Sequence, residues 1–244
     1  MPTDSGSQFS VIVPVHNEAA LLRDAVSSMV DELRQIGPRF ELLICENGST
    51  DASLQIARDL AARYEEVVVE HLDVGDYGLA LKHAIPRCRH DNIVIFNLDF
   101  WSAAFTRDAL VRLRGADVVI GSKAMRGATD KRPPLRRLVT RCFNLFLKVV
   151  FDFRGTDTHG MKALCRQVVL PINASTASRA WLFDTELVLR AERAGLRIVE
   201  IPVEISEMRP PSLGSIAGRV PSVLKGLLRL WKALRVVPNA QRSR

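Results

Sequence analysis

One short stretch constrains the fold of this chain more than any other. Residues 93–96 form an apolar run that ends directly in Asn97, Leu98 and Asp99. A run rich in β-branched and aromatic residues is typical of a strand that is buried on both faces of a sheet. Because ligands bind at the carboxyl ends of strands in open α/β sheets, Asp99 is a candidate to hold a divalent cation or a ribose hydroxyl. The alternative is that Asp99 only caps the turn after the strand.

Short apolar runs alternate with amphipathic segments over the first 121 residues. Further strands are predicted at residues 9–14, 41–45, 67–69 and 117–121, and the segments between them have helical spacing. This alternation predicts right-handed crossovers and a parallel sheet with helices on both faces. A chain of 244 residues is long enough for one large domain of this α/β class.

The pattern changes after residue 121. The sequence there predicts a loop at 123–134, an amphipathic helix at 135–151 and a polar turn at 157–162. A helix at 184–194, a strand at 196–201 and a last amphipathic helix at 220–237 follow. No apolar run approaches the roughly 18–20 residues that are needed to span a bilayer. The apolar face of the helix predicted at 220–237 either lies on a membrane or packs on the domain.

The positive charge is concentrated in two segments. Residues 131–154 hold seven lysines and arginines against one acid, and residues 214–244 hold seven against none, within a net charge of +7. A local excess of this kind indicates an anionic ligand or surface that is met at one place. Only 6% of the residues are aromatic and no nucleic-acid-binding module is recognisable, so we expect no nucleic-acid partner.

The cysteine and glycine patterns exclude other classes. Cys45, Cys88, Cys142 and Cys165 are widely spaced, which argues against a zinc site or a disulfide framework and favours a cytoplasmic location. No Gly-x-Gly-x-x-Gly follows the first strand, which disfavours a dinucleotide-dependent dehydrogenase.

Seven short motifs, taken in order, resemble those of family-2 glycosyltransferases, and most closely the polyprenyl (dolichyl) phosphate mannose or glucose synthases. They lie at residues 11–18, 46–51, 78–82, 97–99, 121–123, 157–162 and 183–187. The resemblance implies a GT-A fold, which is Rossmann-like with a mostly parallel sheet, followed by an amphipathic helical segment. It also implies four regions. They are a disordered N-terminus (1–8), a nucleotide-binding half (9–121), an acceptor half (122–207) and a basic C-terminal segment (208–244).

The resemblance further implies an inverting transfer of mannose or glucose from a nucleoside-diphosphate sugar to a polyprenyl phosphate. The residues that it places at the nucleotide are Pro14, Glu18, Glu46, Ser49, Lys82, Asn97, Leu98 and Asp99. It assigns Mg²⁺ or Mn²⁺ to Asn97 and Asp99, and catalytic roles to Asp99, Lys123, Asp157 and Arg137. The residues that it places at the acceptor are Arg126, Arg136, Arg137, Arg141 and His159.

These residue types suit the chemistry. Departure of a nucleoside diphosphate develops negative charge, which a divalent cation or basic side chains can stabilise. An acceptor phosphate is already ionised near neutral pH, so it needs no strong general base. We expect a peripheral protein on the inner face of the membrane, with residues 135–151 and 220–237 in contact with anionic headgroups.

The sequence departs from the family pattern at three sensitive places. Asn97 replaces the first acid of the Asp-x-Asp signature, Trp101 stands where a polar residue often helps to bind metal, and Glu46-Asn47 replaces an Asp-Asp pair. A neutral amide is a weaker ligand for a hard cation than a carboxylate. Two alternatives therefore stay open: transfer to a saccharide or small-molecule acceptor, and a non-catalytic relative that binds nucleotide sugar.

Overall fold

The computed structural model describes residues 8–37, 39–205 and 225–234. The strands are β1 (Phe9–Val15), β2 (Phe40–Asn47), β3 (Val67–Leu72), β4 (Asn92–Ile95), β5 (Val118–Ser122), β6 (Thr129–Asp130), β7 (Lys162–Cys165), β8 (Ile198–Pro202) and β9 (Glu204–Ile205). Seven of them form one sheet in the order β3-β2-β1-β4-β7-β5-β8, and β6 pairs with β9. The expected disorder of residues 1–8 concerns positions that, apart from Gln8, lie outside the described residues, and so does most of the 208–244 segment.

The helices connect these strands. They are α1 (Ala19–Arg34), α2 (Ser53–Arg63), α3 (Tyr77–Ala84), α4 (Ala103–Leu113), α5 (Pro134–Phe151), α6 (Arg166–Ser175) and α7 (Leu182–Arg193), and residues 225–234 are also helical. None of the described helices is long and apolar enough to cross a membrane.

The strands are buried on both faces because their side chains alternate between two hydrophobic cores. On β1, Val11 and Val13 join the core beneath α1, α2 and α4, whereas Ile12 joins the core beneath α3, α6 and α7. Burial from both sides explains the continuous apolar runs in the sequence. The predicted fold class, an α/β protein with a mostly parallel sheet and helices on both faces, is confirmed.

The strand order reverses beside β1. This strand pairs in parallel with β2 on one side and with β4 on the other. The chain continues from β1 to β2 on one side and from β4 toward β5 on the other, and the carboxyl edge at such a reversal is where open α/β sheets bind ligands.

One strand departs from the predicted parallel pattern. β7 lies between β4 and β5 and runs antiparallel to both. Its first residue, Lys162, was predicted to end a polar turn. Four residues that begin with a lysine are too short and too mixed in polarity to produce a recognisable strand pattern.

The helix at residues 225–234 turns its apolar side toward the domain. Leu227, Leu230 and Leu234 are buried in the core that contains α7. The Arg193 guanidinium donates to the Leu234 carbonyl at 2.7 Å and fixes the end of the helix. For these residues the apolar face packs on the domain, which was one of the two alternatives predicted for this helix. The exposed residues of this helix are Lys225, Leu228, Arg229 and Lys232.

Candidate active site

A small pocket opens at the carboxyl edge of the sheet, beside the point where the strand order reverses. Its walls include Asn97 and Phe100 after β4, Tyr77 at the start of α3, and His159 and Gly160 before β7. Three separate parts of the chain therefore meet at the place where the fold favours ligand binding.

The turn after β4 presents the predicted metal ligands. Asn97 is exposed and closes the turn, since the Phe100 backbone N–H donates to its carbonyl at 3.1 Å. Leu98 is buried and anchors the turn in the core, while Asp99 is half-buried. Leu98 can therefore meet a nucleotide only through its backbone.

The donor set at this turn fits a divalent cation only in part. Within the described ranges no group of three or more His, Cys, Asp or Glu side chains could hold a metal ion. Asn97 and Asp99 offer one neutral and one anionic oxygen ligand, whereas Mg²⁺ takes six oxygens and readily shares them with phosphates and water. These residues thus fit a cation that takes its remaining ligands from phosphate groups and water, and they do not form a preformed metal cage.

Lys123 and Asp157 form a buried ion pair at the same edge of the sheet. The Lys123 ammonium lies 2.7 Å from Asp157 Oδ2, and the two side chains are 7% and 1% exposed. Burial lowers the pKa of Lys123, although Asp157 opposes this effect and Arg132 and Lys162 add to it. Burial alone would raise the pKa of Asp157, but the Lys123 ammonium and the His159 N–H outweigh it and hold that pKa below its ordinary value. Each partner therefore favours the charged form of the other, against the effect of burial.

The turn that carries Asp157 is fixed from β8. Glu200 accepts hydrogen bonds from the backbone N–H groups of Thr156, at 2.7 Å, and Asp157, at 3.1 Å. Its other oxygen accepts from the Thr156 hydroxyl at 2.7 Å. Glu200 was not predicted as a site residue, although an acid inside an otherwise apolar strand is a signal for a buried polar role.

A second buried pair lies beside the first. Lys162 Nζ is 3.1 Å from Asp184 Oδ1 and donates to the Gly160 carbonyl at 2.9 Å. The Tyr77 hydroxyl donates to Asp184 Oδ2 at 3.0 Å, and burial together with Asp184 raises the pKa of Tyr77. Lys162 and Tyr77 were also missed, because a lysine in a turn and a tyrosine at a helix start are ordinary surface residues by sequence.

His159 belongs to a cluster of three rings. Its ring centroid lies 5.5 Å from that of Phe143 on α5 and 5.5 Å from that of Trp181. Its Nε2 hydrogen-bonds with the Trp181 carbonyl at 3.1 Å, and its Nδ1 with the Thr158 hydroxyl at 3.0 Å. Burial lowers the pKa of His159 to about 4, so the ring is neutral near pH 7. This cluster connects the pocket to α5.

Hydrogen bonds join the loops after β1 and β2. Asn17, whose φ is 55°, accepts from the Thr50 N–H at 2.8 Å and donates its own N–H to the Ser49 hydroxyl at 2.9 Å. The Glu18 N–H donates to the Ser53 hydroxyl at 2.8 Å. Ser49 therefore helps to hold the two loops together at the edge where the resemblance places the nucleotide.

Four predicted nucleotide residues differ in their surroundings. Pro14 is half-buried in β1, and Glu18 precedes α1. Glu46 is fully buried, and its carboxylate accepts from the Ser49 N–H at 2.6 Å. The Lys82 ammonium donates to the carbonyls of Thr176 and Ala174 near the end of α6. Their roles toward a nucleotide stay predictions.

The predicted acceptor arginines follow β5 along the loop and α5. Arg126 and Arg141 are exposed, and Arg136 and Arg137 are half-buried. Arg132, which was not predicted as a site residue, lowers the pKa of Lys123 by charge repulsion. It also donates two hydrogen bonds of 2.9 and 2.7 Å to Asp130.

Comparison with known proteins agrees with this architecture. Residues 10–171 match the family described as Glycosyl transferase family 2. Because the match covers well over half of the chain, this protein belongs to glycosyl transferase family 2 and is a glycosyltransferase.

Individual relatives extend the comparison. The chain is 31% identical over 251 residues to glycosyltransferase AglD of Haloferax volcanii, covering 98% of this chain and 39% of that protein. The chain thus spans about two fifths of the length of that relative. It is 28% identical to polyprenol monophosphomannose synthase of Mycolicibacterium smegmatis, covering 81% of this chain and 77% of that protein.

A solved structure supports the fold. Glucosyl-3-phosphoglycerate synthase from Mycobacterium tuberculosis, in complex with Mn²⁺, uridine diphosphate and phosphoglyceric acid, superposes with a TM-score of 0.69. The superposition covers 96% of this chain and 81% of that chain at 19% identity. Likeness at this level of identity establishes the GT-A-like fold alone.

Proposed function

We propose that this chain transfers a hexose, mannose or glucose, from a nucleoside-diphosphate sugar to a polyprenyl phosphate at the inner surface of a membrane. Family membership supports the transfer, and the polyprenol monophosphomannose synthase among the relatives supports a lipid phosphate as the acceptor. The observation that carries the proposal is the unusual surface of α5.

α5 exposes one apolar side and uses another side to reach the pocket. Leu138, Cys142, Leu145 and Val149 recur at spacings of four, three and four, so they share one face, and all four are exposed. Leu145 is 62% and Val149 is 76% exposed. Soluble proteins rarely expose a contiguous apolar helix face of this kind, whereas a helix that lies on a membrane surface requires one.

A row of cations runs beside this apolar face. Arg137, Arg141 and Lys148 are separated by four and seven residues, so they lie on one side of α5. Cations that flank an apolar face interact with anionic headgroups. A lipid phosphate drawn from that surface would meet Arg137 and Arg141, and the contact of Phe143 with His159 brings the same helix to the pocket.

The proposed reaction follows from this arrangement. The donor lies in the crevice at the carboxyl edge, and the acceptor phosphate approaches from the α5 side. An acceptor oxygen forms a bond to the anomeric carbon while the bond from that carbon to the diphosphate oxygen breaks, and the electron pair leaves with the nucleoside diphosphate. Attack opposite to the leaving group inverts the anomeric configuration. Lys123, held at this edge by Asp157, stabilises the phosphate charge through its ammonium group.

Mg²⁺ or Mn²⁺ belongs to this proposal as a cofactor shared with the diphosphate. Asn97 and Asp99 would hold it, and it would neutralise the charge of the leaving group. The test is calorimetric titration of GDP-mannose and UDP-glucose with Mn²⁺, Mg²⁺ or chelator. Asn97→Asp supplies a second carboxylate and should strengthen metal-dependent donor binding about tenfold or more. Equal binding with and without chelator in both proteins would remove the metal from the proposal.

The decisive experiment measures the product. The purified protein is supplied with labelled GDP-mannose or UDP-glucose, either metal and a polyprenyl phosphate in vesicles. Label that moves into the organic phase supports the proposal, and label that appears only in an aqueous sugar or phosphosugar product supports the small-molecule acceptor instead. No transfer with any donor, followed by a clear gain in Asn97→Asp, would favour the non-catalytic alternative.

A further inference from the structure

All the polar groups of one residue in the turn before β7 are bound, and three different elements bind them. Thr156 precedes Asp157, and both its backbone N–H and its hydroxyl donate to the Glu200 carboxylate on β8 at 2.7 Å. Its carbonyl accepts from the Asn144 side-chain amide on α5 at 2.5 Å. Its Oγ1 also lies 2.6 Å from the Ser122 hydroxyl at the end of β5. β8, α5 and β5 therefore meet at the residue beside Asp157.

The direction of these hydrogen bonds follows from the chemistry of Glu200. A carboxylate only accepts, so the Thr156 hydroxyl must give its hydrogen to Glu200. The Ser122 hydroxyl then donates to Thr156 Oγ1. The Ser122 oxygen in turn accepts from the backbone N–H groups of Ala124, at 3.1 Å, and Met125, at 3.2 Å. One hydrogen-bond chain therefore runs from the loop after β5 to Glu200.

This hydrogen-bond chain holds both partners of the buried ion pair. Lys123 directly follows Ser122, inside the loop segment that the Ser122 oxygen closes. Asp157 follows Thr156, and its own N–H donates to the Glu200 carboxylate at 3.1 Å. The two segments are also joined directly, since the Lys123 N–H donates to Asp157 Oδ2 at 3.3 Å. Because each partner of the ion pair is adjacent to a member of the hydrogen-bond chain, a displacement of Thr156 would move the ammonium relative to the carboxylate.

α5 takes part in this network through its buried side. Asn144 is 7% exposed, and the buried Leu147 and Phe151 follow it at spacings of three and four residues, on the side of the helix that faces the domain. Leu145, on the face proposed to bind lipid, is 62% exposed. Asn144 therefore links the helix to the turn that carries Asp157 without belonging to the proposed lipid-binding face.

We infer that Asn144, Thr156 and Glu200 are positioning residues for the transfer. They hold the Lys123–Asp157 pair where it faces the acceptor phosphate, so they act through the pair and not on the phosphate itself. This inference rests on the proposed function, which places the phosphate charge beside Lys123. A misplacement of about 1 Å can slow a reaction about a hundredfold, so loss of these hydrogen bonds should lower kcat. The KM of the donor should stay, because the proposed nucleotide loops follow β1 and β2, across β4 from this network.

The test measures kcat and the donor KM of the full chain, with labelled GDP-mannose or UDP-glucose and a polyprenyl phosphate in vesicles, and refers each rate to the folded fraction. Thr156→Val has nearly the same shape but lacks the hydroxyl. It should lower kcat about tenfold or more and change the donor KM less than about twofold. Thr156→Ser keeps the hydroxyl and should retain most of the wild-type kcat. A merely structural role would lower stability without this division between kcat and KM.

Two further variants test the other ends of the network. Asn144→Leu leaves the Thr156 carbonyl without its donor and should lower kcat in the same way, while sedimentation with vesicles stays as in wild type because Asn144 is buried. Glu200→Gln replaces the carboxylate at which the hydrogen-bond chain ends. Combined with Thr156→Val, it should cost little more than the larger of the two single losses, because both changes break the same hydrogen-bond chain. Losses that simply multiply would contradict that chain.

Ser10 and Glu41 offer a matched control at the opposite edge of the sheet. The Ser10 hydroxyl donates to the Glu41 carboxylate at 2.7 Å, and the two residues are register partners near the amino ends of β1 and β2. Ser10→Ala and Glu41→Gln should lower stability and keep kcat.

The outcomes separate this inference from the proposed function. If wild type transfers sugar to the lipid and Thr156→Val keeps kcat within about twofold, or loses no more than the controls do, the inference fails and the proposed function stands. Asn144→Leu decides in the same way should Thr156→Val fail to fold. If wild type uses only a soluble acceptor, the proposed acceptor fails, and the same variants decide the inference on that reaction. No transfer by wild type to any acceptor would overturn both.

Discussion

The Lys123 ammonium and the Asp157 carboxylate lie 2.7 Å apart in the interior, although 34 positions separate them in the chain. The pair brings the end of β5 to the turn before β7, next to the candidate pocket. Because Asp157 already holds the Lys123 ammonium in place, the ammonium needs little reorganisation to stabilise a phosphate bound nearby. The same pair makes the site sensitive to the loss of either partner.

Breaking this pair should destabilise the protein strongly. Lys123→Met leaves the Asp157 carboxylate buried without its cation, which costs on the order of 3 kcal/mol in the free energy of unfolding. Lys123→Met combined with Asp157→Asn should cost less than the sum of the two single changes. Urea unfolding measures all three. The exposed Arg23–Asp59 pair is the control, since Arg23→Met should change stability little; an equal loss there would contradict the argument.

His159 should make stability depend on pH. Burial lowers its pKa to about 4, so between pH 4 and about 6.5 the unfolded chain binds a proton that the folded chain does not. The free energy of unfolding should therefore fall as pH falls through this window, by at most about 3 kcal/mol from this residue. Chemical unfolding at several pH values should show a flatter profile for His159→Gln. The profile of His90→Gln should stay as steep as that of wild type.

The apolar face of α5 should bind lipid. Leu145→Glu or Val149→Glu removes an inserted apolar side chain, whose transfer from water contributes roughly 1.5–3 kcal/mol, and adds an anion near anionic headgroups. Sedimentation with vesicles that contain anionic lipid should show binding reduced at least tenfold. Val111 on α4 is 60% exposed, so Val111→Glu is a control of similar exposure that should bind as wild type does. Equal losses in all three variants would argue against a specific face.

Gly160 should tolerate no side chain. A Cβ at this position would overlap the carbonyl oxygen of Gly121, which is backbone and cannot rotate away. Gly160→Ala should therefore cost about 1–3 kcal/mol or more by overpacking and distort the pocket that Gly160 lines. At Gly37 a Cβ meets nothing within 4 Å, so thermal unfolding of Gly37→Ala should match wild type. A stable and active Gly160→Ala variant would show that the turn before β7 can move away from β5.

Much of the fold could be predicted from the sequence, because the local apolar patterns match the strands and helices that form around the sheet. The runs that became β1, β2, β4 and β5 are continuous and apolar, and buried parallel strands require that composition. The helix predicted at residues 135–151 differs from α5 by one residue at its start. β7 was not readable, because its position is determined by neighbours that lie far away in the chain.

The contacts of the site were less predictable than its members. Resemblance pointed to Lys123, Asp157 and His159 one by one, but the antiparallel register that opposes Ile120 to Lys162 brings their segments together. Asp184 likewise meets Tyr77 across 107 positions. Such pairs depend on tertiary packing, and the periodicity of a single sequence does not predict which distant residues will meet.

The antiparallel insertion of β7 also has a consequence for the order of assembly. β5 touches β4 nowhere within the sheet, since its neighbours are β7 and β8. A growing chain that has just completed residue 122 would hold four paired strands, while the fifth waits for partners about 40 and 80 positions later. The strand that leads to Lys123 is thus among the last to be secured, so the reacting edge should appear only when nearly the whole sheet exists.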